Sequence, residues 1–339
     1  CCRPPASGRS RNGPRASSKN SPVAQTSGDG KLADTYLKGL VGLNFDRQIS
    51  QQRVQANAQV DGYKYNNYSD FDNIGYRAGL NYDWAIGRPF YGKIGADLRR
   101  YEPQIQDVQI GDEGKRNRLD TQLIYVQGGV RFTPSLSLIA GADFERRRNR
   151  LNTYKEMDVD VDGLEGGLRW APGTGLELDF VYRHSKGDYS RLQTRLPSGL
   201  PAQPPGYRND YKQNELLLRA SYRPTEETRL SGFIGQTQRD FDVPRPEGID
   251  RDFDGLTLGS DLEWALSGLT TMRVRFGRTI APQDGVYTSS YVESTYIEAR
   301  PRIRATGRIT VEPFIHFINQ KYAGDRIPGQ QSRKDDLLF

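Results

Sequence analysis

The sequence has very few of the residues that build disulfides, metal sites and catalytic dyads. Its two cysteines, Cys1 and Cys2, are adjacent and terminal, so they cannot cross-link a fold or complete a metal site. Only two histidines occur, His184 and His316, which is too few for a histidine-based metal centre. We therefore predict that the protein has no metal and no cofactor, and that it is not an enzyme.

The sequence also lacks a long apolar run. No stretch of roughly 18 residues is apolar, which excludes a transmembrane helix, and the mean hydropathy is -0.75. A transmembrane β-barrel remains compatible with this value, because barrel strands alternate lipid-facing and lumen-facing side chains. With 36 glycines, 19 tyrosines, 13 phenylalanines and only two methionines, the composition favours strands joined by turns over helices.

A local concentration of positive charge is absent too. The formal charge is +6, but the 48 Lys and Arg residues are spread along the whole chain among 42 Asp and Glu residues. A nucleic-acid-binding domain gathers its basic residues on one face or helix. The charge distribution therefore argues against a nucleic-acid partner.

Residues 1–33 are rich in Pro, Ser, Gly and Arg and contain no central apolar stretch. They match neither a signal peptide nor a packed element. We expect a disordered or artefactual N-terminal segment, with lipidation of Cys1 as the alternative. Because a barrel protein must first cross the inner membrane, the missing signal predicts a processed, re-annotated or incomplete N-terminus.

Alternation with a period of two residues begins near residue 34 and continues to the end of the chain. In VQANAQVDG, for example, Val54, Ala56, Ala58 and Val60 interleave with polar residues. About fourteen such segments of roughly 10 to 15 residues occur, the last complete one from Arg308 to about Tyr322. Since 9 to 11 tilted residues suffice to cross a bilayer, residues 34–339 are predicted to form an all-β, antiparallel outer-membrane β-barrel.

The predicted connections alternate strictly between two kinds. Short turns, where Gly, Pro, Ser or Thr supplies the geometry, are predicted near Ser50, Gly87, Pro134, Pro172–Gly175, Pro224–Glu227, Ser267–Gly268 and Thr306–Gly307. Long polar loops are predicted at 66–73, 102–117, 147–156, 186–209, 240–252, 281–290 and 323–332. Short turns at one rim and long loops at the other are typical of the periplasmic and extracellular rims of outer-membrane barrels.

Aromatic residues cluster beside the short turns, where a membrane-interface belt is expected: Tyr82, Trp84, Phe90, Phe132, Trp170, Tyr222 and Trp264. The alternative is a soluble sandwich or large antiparallel sheet, which shows the same alternation. Strand length, the aromatic belt and the alternation of short and long connections favour the barrel.

The chain ends in RKDDLLF, which reads as the first part of a fifteenth strand. Bacterial barrels close with even strand numbers, so we expect the chain to be truncated at both ends and the intact protein to have roughly 16–18 strands. Asp335 and Asp336 interrupt the alternation, which argues against reading Phe339 as a terminal assembly signal. The first and last strands are then expected not to meet.

Charged residues recur on the polar register of the predicted strands. Together with Tyr63, Tyr91 and Tyr125 they are candidates to line a lumen, where they either pair with each other or attract and stack against sugars. The charged candidates are Arg53, Arg77, Lys93, Asp97, Arg99, Arg131, Asp143, Glu145, Arg169, Glu177, Asp179, Arg183, Arg219, Asp261, Glu263, Arg273, Arg275, Glu298 and Arg300.

Several stretches resemble the β-barrel porin family linked to exopolysaccharide biosynthesis operons, the EpsL-like proteins. They are DTYLKGLVGLNFDRQISQQRVQANAQVDGYKYNNYSDFDN, the pieces RNDY (208–211) and RDF (239–241 and 251–253), YRPTEETRLSGFIGQTQRDF and SSYVESTYIEARPRIRATGRIT. The resemblance covers about residues 34–339. It implies an outer-membrane barrel that helps to move or assemble an extracellular polysaccharide, and it supplies no catalytic residues.

Three functional hypotheses follow. The first is a passive conduit in the outer membrane of a Gram-negative bacterium, with outer-membrane lipid, an acidic exopolysaccharide and the polysaccharide-export machinery as partners. The second is a non-conducting scaffold whose extracellular loops bind polysaccharide or partner proteins. The third is an outer-membrane hydrolase, for which His184 with Ser185 and Asp188 is the only local combination.

Overall fold

The computed structural model describes residues 36–66, 72–101, 117–191, 208–242, 252–282, 291–306, 309–323 and 334–338. The predicted N-terminal segment 1–33 lies outside them. The ranges given above include one 3₁₀ helix, Asn152–Met157. Within these ranges no helix is both long and apolar enough to cross a membrane.

The described residues form one antiparallel sheet. Its strands are β1 Tyr36–Ile49, β2 Gln52–Tyr65, β3 Asn73–Ile86, β4 Phe90–Tyr101, β5 Leu119–Arg131, β6 Leu136–Asn149, β7 Val159–Trp170, β8 Leu176–Tyr189, β9 Tyr211–Tyr222, β10 Thr228–Phe241, β11 Phe253–Ala265, β12 Thr270–Pro282, β13 Tyr291–Arg304, β14 Thr310–Val311, β15 Ile315–Ala323 and β16 Lys334–Leu338.

The sheet is a simple meander in which each strand pairs with its neighbours in sequence. No second sheet packs on it within the described ranges, so the soluble-sandwich alternative does not describe this chain. The all-β prediction is confirmed, and the architecture is that of an outer-membrane β-barrel wall. The sheet is open, because β1 and β16 do not pair with each other in the part of the chain that the structure describes.

The predicted fourteenth strand is interrupted, which corrects the sequence prediction of one strand from Arg308 to Tyr322. Both β14 and β15 pair with β13, and the residues between them, including Pro313, leave the ladder. Proline has no N–H to donate to a neighbouring strand. The fourteenth strand position is therefore filled by two segments separated at this proline.

The short turns occur where the sequence predicted them. Ser50 and Gly87 have positive φ angles of 57° and 62°, the conformation that a tight hairpin demands. In the turn between β5 and β6 the hydroxyl of Thr133 accepts the N–H of Leu136 at 3.0 Å. Part of the predicted turn at Thr306–Gly307 lies outside the described residues.

An aspartate closes the base of several long loops. Asp158, immediately before β7, accepts the backbone N–H of Asn149, the last residue of β6, at 2.6 Å. The same bond joins Asp72 to Tyr65, Asp210 to Tyr189 and Asp252 to Phe241, at 2.7, 2.6 and 2.9 Å. We call these four aspartates the loop-base aspartates. They extend the hairpins, so that β8 continues to Tyr189 and the loop predicted from residue 186 begins later.

Replacing Asp158 with alanine is expected to destabilise the β6–β7 hairpin locally by about 1–2 kcal/mol, because a buried N–H loses its acceptor. The carboxylate also accepts the side-chain Nδ2 of Asn149 at 3.1 Å. Amide hydrogen exchange should become faster at Asn149. Asp188→Ala is the matched control, since among the described residues that carboxylate binds only the exposed Lys186. Equal exchange rates in the two variants would contradict this role.

One face of the sheet is apolar and exposed. On β6 it presents Leu136, Leu138, Ala140, Ala142 and Phe144, and the register aligns the first four with Trp170, Leu168, Gly166 and Leu164 of β7 and aligns Phe144 with Ile124 of β5. Leu43 and Leu164 are 75% and 63% exposed. A face this apolar is incompatible with water, and in lipid a sheet is stable only as part of a barrel. The predicted location in the outer membrane of a Gram-negative bacterium follows from this face together with the short turns at one rim and the long loops at the other.

Candidate functional site: the polar face of the sheet

The opposite face carries the charged residues. All nineteen charged candidates from the sequence share this polar face, because each occupies the alternate register from the apolar residues of its strand. In a barrel this face surrounds the lumen.

A central ionic network lies on β6, β7, β8 and β9. The guanidinium of Arg183 donates from Nη1 and Nη2 to the two carboxylate oxygens of Asp143 at 2.7 and 2.8 Å. It also lies 3.8 Å from Glu165 and 3.5 Å from Glu215. Glu165 is in turn bound by Arg219 at 2.8 Å. Arg183 is therefore the hub that links three carboxylates from three different strands.

A neighbouring ion-paired group on β7 and β8 lies nearer the short turns, and we count it with the central ionic network. Arg169 donates from Nε and Nη2 to Asp179, both at 2.7 Å, and lies 3.3 Å from Glu177. Asp179 is only 7% exposed, and a buried carboxylate of this kind requires a partner. In total the network holds five carboxylates and three guanidiniums, an excess of two negative charges: Asp143, Glu165, Glu177, Asp179 and Glu215 against Arg169, Arg183 and Arg219.

Two of these carboxylates, Glu165 and Glu215, were missed by the sequence reasoning. Glu165 stands between Gly163 and Gly167 on the polar face, so the alternation that would have revealed it is hidden by residues without side chains. Glu215 directly opposes Arg183 in the β8–β9 register. Counting strictly by twos from Arg219 and Arg169 would have found both.

A second charged group lies on β11, β12 and β13. Arg273 donates from Nε to Asp261 at 2.9 Å, and Arg275 donates from Nη2 to both oxygens of Glu298 at 2.6 Å. Arg300 lies 3.4 Å from the same Glu298, whose side chain is almost fully buried. This group adds a further guanidinium-rich surface to the polar face.

The third charged group lies on β1 to β4 and is more open. Arg99 donates from Nε to Asp97 at 2.9 Å, and the pair borders a cavity of about 520 Å³ that Asn57, Gln59 and Arg77 also line. Arg77 is exposed and makes no ion pair within the described residues. This cavity is therefore one place on the polar face where a cation is available to an external anion.

The tyrosines of the polar face cover glycines of neighbouring strands. The ring of Tyr91 lies so close to Gly129 that a Cβ there would be 2.5 Å from it, and Tyr125 covers Gly95 in the same way. The guanidinium of Arg131 stacks on the Tyr91 ring at 4.4 Å. Such covering of strand glycines stabilises a sheet. For these tyrosines it competes with the predicted role of stacking on sugars.

An apolar cluster that the sequence did not reveal occupies the polar face near the long loops. It consists of Val159, Val161, Tyr189, Tyr211 and Phe241, and all five are buried. We call it the loop-end cluster. Tyr211 directly follows the loop-base aspartate Asp210, whereas Tyr189 and Phe241 are the last residues of β8 and β10. The piece RNDY therefore combines a backbone acceptor, Asp210, with an aromatic side chain of this cluster, Tyr211, whereas the two RDF pieces supply Phe241 and its acceptor Asp252 separately.

The two histidines do not form a catalytic site with the residues predicted beside them. His184 lies on the apolar face, where Nδ1 is 2.8 Å from the Asn214 side-chain oxygen, whereas Ser185 points to the polar face, as alternation requires. The combination of His184, Ser185 and Asp188 is therefore wrong as a catalytic arrangement. His316 opposes Glu298 on the polar face.

No metal-binding group of three or more His, Cys, Asp or Glu side chains is found in the ranges that the structure describes.

No protein-family model matches the sequence, and neither does any curated protein. Solved structures with similar folds include the ferric enterobactin receptor PfeA of Pseudomonas aeruginosa, as the G324V mutant (TM-score 0.43, 11% identity, 85% of this chain and 51% of that chain). Others are the alcaligin outer-membrane receptor FauA of Bordetella pertussis (0.36, 14%, 89% and 54%) and the siderophore receptor PirA of Pseudomonas aeruginosa (0.40, 10%, 90% and 61%).

The chain spans about half of the length of these receptors. At such low identities and TM-scores the likeness adds no argument to the architecture described above. The ligands named for those receptors are therefore not transferred to this chain.

Proposed function

We propose that the protein is a passive, non-enzymatic conduit in the outer membrane that serves exopolysaccharide export or assembly. The observation that supports this most directly is the polar face, which carries charged and hydrogen-bonding side chains along its strands from the short turns up to the loop-end cluster. A polymer of hydroxyl and carboxylate groups needs such a surface to replace its hydration shell. The resemblance to the EpsL-like family favours a polysaccharide as the cargo.

The charge distribution bears on which part of the face would attract an acidic polymer. The central ionic network has more carboxylates than guanidiniums, so it would not hold acidic sugars. Arg77, beside the open cavity, is exposed and without an ion pair in the described residues, and the guanidiniums around Glu298 lie on the far side of the network. We infer that an acidic polymer is attracted by these flanking cations.

The alternative is a non-conducting scaffold, and the loop-end cluster favours it. Buried apolar side chains on the lumen-facing side, such as Val159 and Tyr211 at 2% and 3% exposure, indicate a region of the polar face that is closed to water. If this closure extends across the lumen, the long loops become the binding surface and nothing passes through.

Conductance in planar bilayers tests the proposal. The full-length protein is expected to produce ion-conducting steps, and Arg77→Glu is expected to shift the permeability ratio toward cations by about twofold or more, because charges at the water-filled wall set selectivity. Lys186→Glu is the matched control, since Lys186 lies on the apolar face of β8. A non-conducting barrel whose deletion leaves polymer export unchanged would contradict the conduit.

A further inference from the structure

The apolar face ends, on the side of the long loops, in a group of arginines. Arg100 lies two positions beyond Leu98 on β4, and Arg146 lies two positions beyond Phe144 on β6. The N–H of Arg150 donates to the carbonyl of Arg118 at 3.0 Å, which extends the β5–β6 ladder by one rung. The basic patch defined in this way consists of Arg100, Arg118, Arg146, Arg148 and Arg150.

Two arginines of the basic patch, Arg100 and Arg146, have hydrogen-bonding capacity left beyond their ion pairs. Arg100 donates to Asp120 from Nε and Nη2 at 2.5 and 2.8 Å. Arg148 donates from Nη2 to both oxygens of Asp160 at 2.7 Å, and Arg146 donates to the same carboxylate at 3.1 Å. Arg148 also donates from Nη1 to the carbonyls of Arg147 and Val159 at 2.9 and 3.1 Å, so four of its five N–H donors are used. Arg100 and Arg146 use only two donors and one donor in these contacts. The Arg146 side chain is 45% exposed.

The basic patch differs in charge from the neighbouring sector β8–β11. Beyond the apolar residues of β4 to β7, including the rungs that extend them, five arginines face four aspartates, Asp120, Asp158, Asp160 and Asp162, an excess of one positive charge. The equivalent positions of β8 to β11, with the rung that extends β9 and β10, carry two lysines and five aspartates. They therefore have an excess of three negative charges. The residues are Lys186, Lys212, Asp188, Asp210, Asp240, Asp242 and Asp254. The patch is thus not a general property of the rim.

The basic patch lies at the membrane depth expected for the headgroups of the outer leaflet. From Leu136 to Phe144 the apolar stretch of β6 covers eight residue steps, about 27 Å of strand or about 20 Å of membrane depth at a tilt of ~40°. Lipid-facing bands of outer-membrane barrels are about 25 Å tall. The arginines of β6 begin directly above this band, and Arg146 lies over the Phe144 ring at 5.4 Å, as Arg100 lies over Tyr76 at 4.9 Å.

We propose that the basic patch binds the phosphate groups of the phosphorylated glycolipid that forms the outer leaflet of the outer membrane. Guanidinium and phosphate groups match in a bidentate geometry, and the patch presents several guanidiniums at the depth where those phosphates lie. The sector β4–β6 is then the side of the barrel to which this lipid is bound, while the acidic sector β8–β11 is not. The inference depends on the outer-membrane location and is independent of conduction.

The test measures binding of bisphosphorylated lipid A to the full-length protein in detergent by native mass spectrometry. Replacing Arg100, Arg146 and Arg148 together with glutamine is expected to weaken binding by about tenfold or more, since each basic side chain at a membrane surface adds to the attraction of anionic lipid. Lys186→Gln combined with Lys212→Gln is the matched control and is expected to change binding by less than about twofold. Heat-modifiable migration on gels verifies that each variant is folded.

A second variant removes the risk that the glutamine substitutions leave carboxylates unpaired. Asp120→Asn combined with Asp160→Asn keeps all five arginines and removes their competitors, so lipid A binding is expected to become several times tighter. Unchanged binding in both sets of variants would overturn the proposal. So would equal binding of lipid A stripped of its phosphates, equal competition by phosphatidylglycerol, or equal competition by inorganic phosphate.

Discussion

Replacing Arg183 with glutamine is expected to lower the free energy of unfolding by about 3 kcal/mol or more, because removing one partner of a buried ion pair leaves uncompensated charge. Here three carboxylates on three different strands lose the Arg183 guanidinium together: Asp143, Glu165 and Glu215. Urea unfolding in detergent or lipid vesicles measures the effect. Because the side chains lie on the lumen side, the variant should still insert into the membrane.

Two comparisons make the Arg183 prediction specific. Arg53→Gln removes an ion pair whose two side chains are about half exposed, and such pairs contribute roughly 0–1 kcal/mol. Adding Asp143→Asn to Arg183→Gln should restore part of the stability, since one unpaired charge is removed. Equal losses for Arg183→Gln and Arg53→Gln would show that the central network has no special role.

Replacing Gly167 with alanine is expected to prevent correct pairing of β7 and β8, with a loss of about 3 kcal/mol or more. A Cβ at this position would collide with the carbonyl oxygen of Phe180 and would lie 2.9 Å from the Cα of Val181. Both are backbone atoms of the paired strand, so no side-chain rotation relieves the contact. The fraction of protein that migrates as a folded, heat-modifiable species should fall sharply.

The adjacent residue gives the control for Gly167. Gly166 is in the same strand but on the apolar face, and its nearest neighbour would be the carbonyl oxygen of Ile139 at 4.0 Å. Gly166→Ala should therefore assemble like the unmodified protein. If the two variants fold equally well, the close approach of β7 and β8 at Gly167 does not limit assembly.

The strands were predictable because a lipid-facing barrel wall forces a period of two over long stretches. In β6 the order of Leu136, Leu138, Ala140, Ala142 and Phe144 against Ser137, Asp143 and Glu145 fixes both the strand and its lipid-facing side. The turn at Ser50 was likewise visible, since only a few residue types suit it. The break at Pro313 was missed because alternation was read across it, although a proline within a strand indicates an interruption.

The candidate site was predictable only in part. Alternation assigns Arg183 and Asp143 to one face, but a shared face says nothing about which charges meet. Glu215 became part of the network only through the β8–β9 register. The loop-end cluster was hidden for the opposite reason: Tyr211 and Phe241 are apolar residues on the polar register, and only the cross-strand packing, with ring centroids 5.9 Å apart, shows what they do.

The sequence by itself determined that the chain is an antiparallel meander with one apolar and one polar face, because each strand records its own environment in residues two positions apart. Tertiary structure decided everything that depends on neighbouring strands: the carboxylates that Arg183 joins, the backbone N–H groups that the loop-base aspartates accept, and the arginines that gather above the apolar band. These contacts are set by register, and a register is a relation between two strands that neither strand specifies alone.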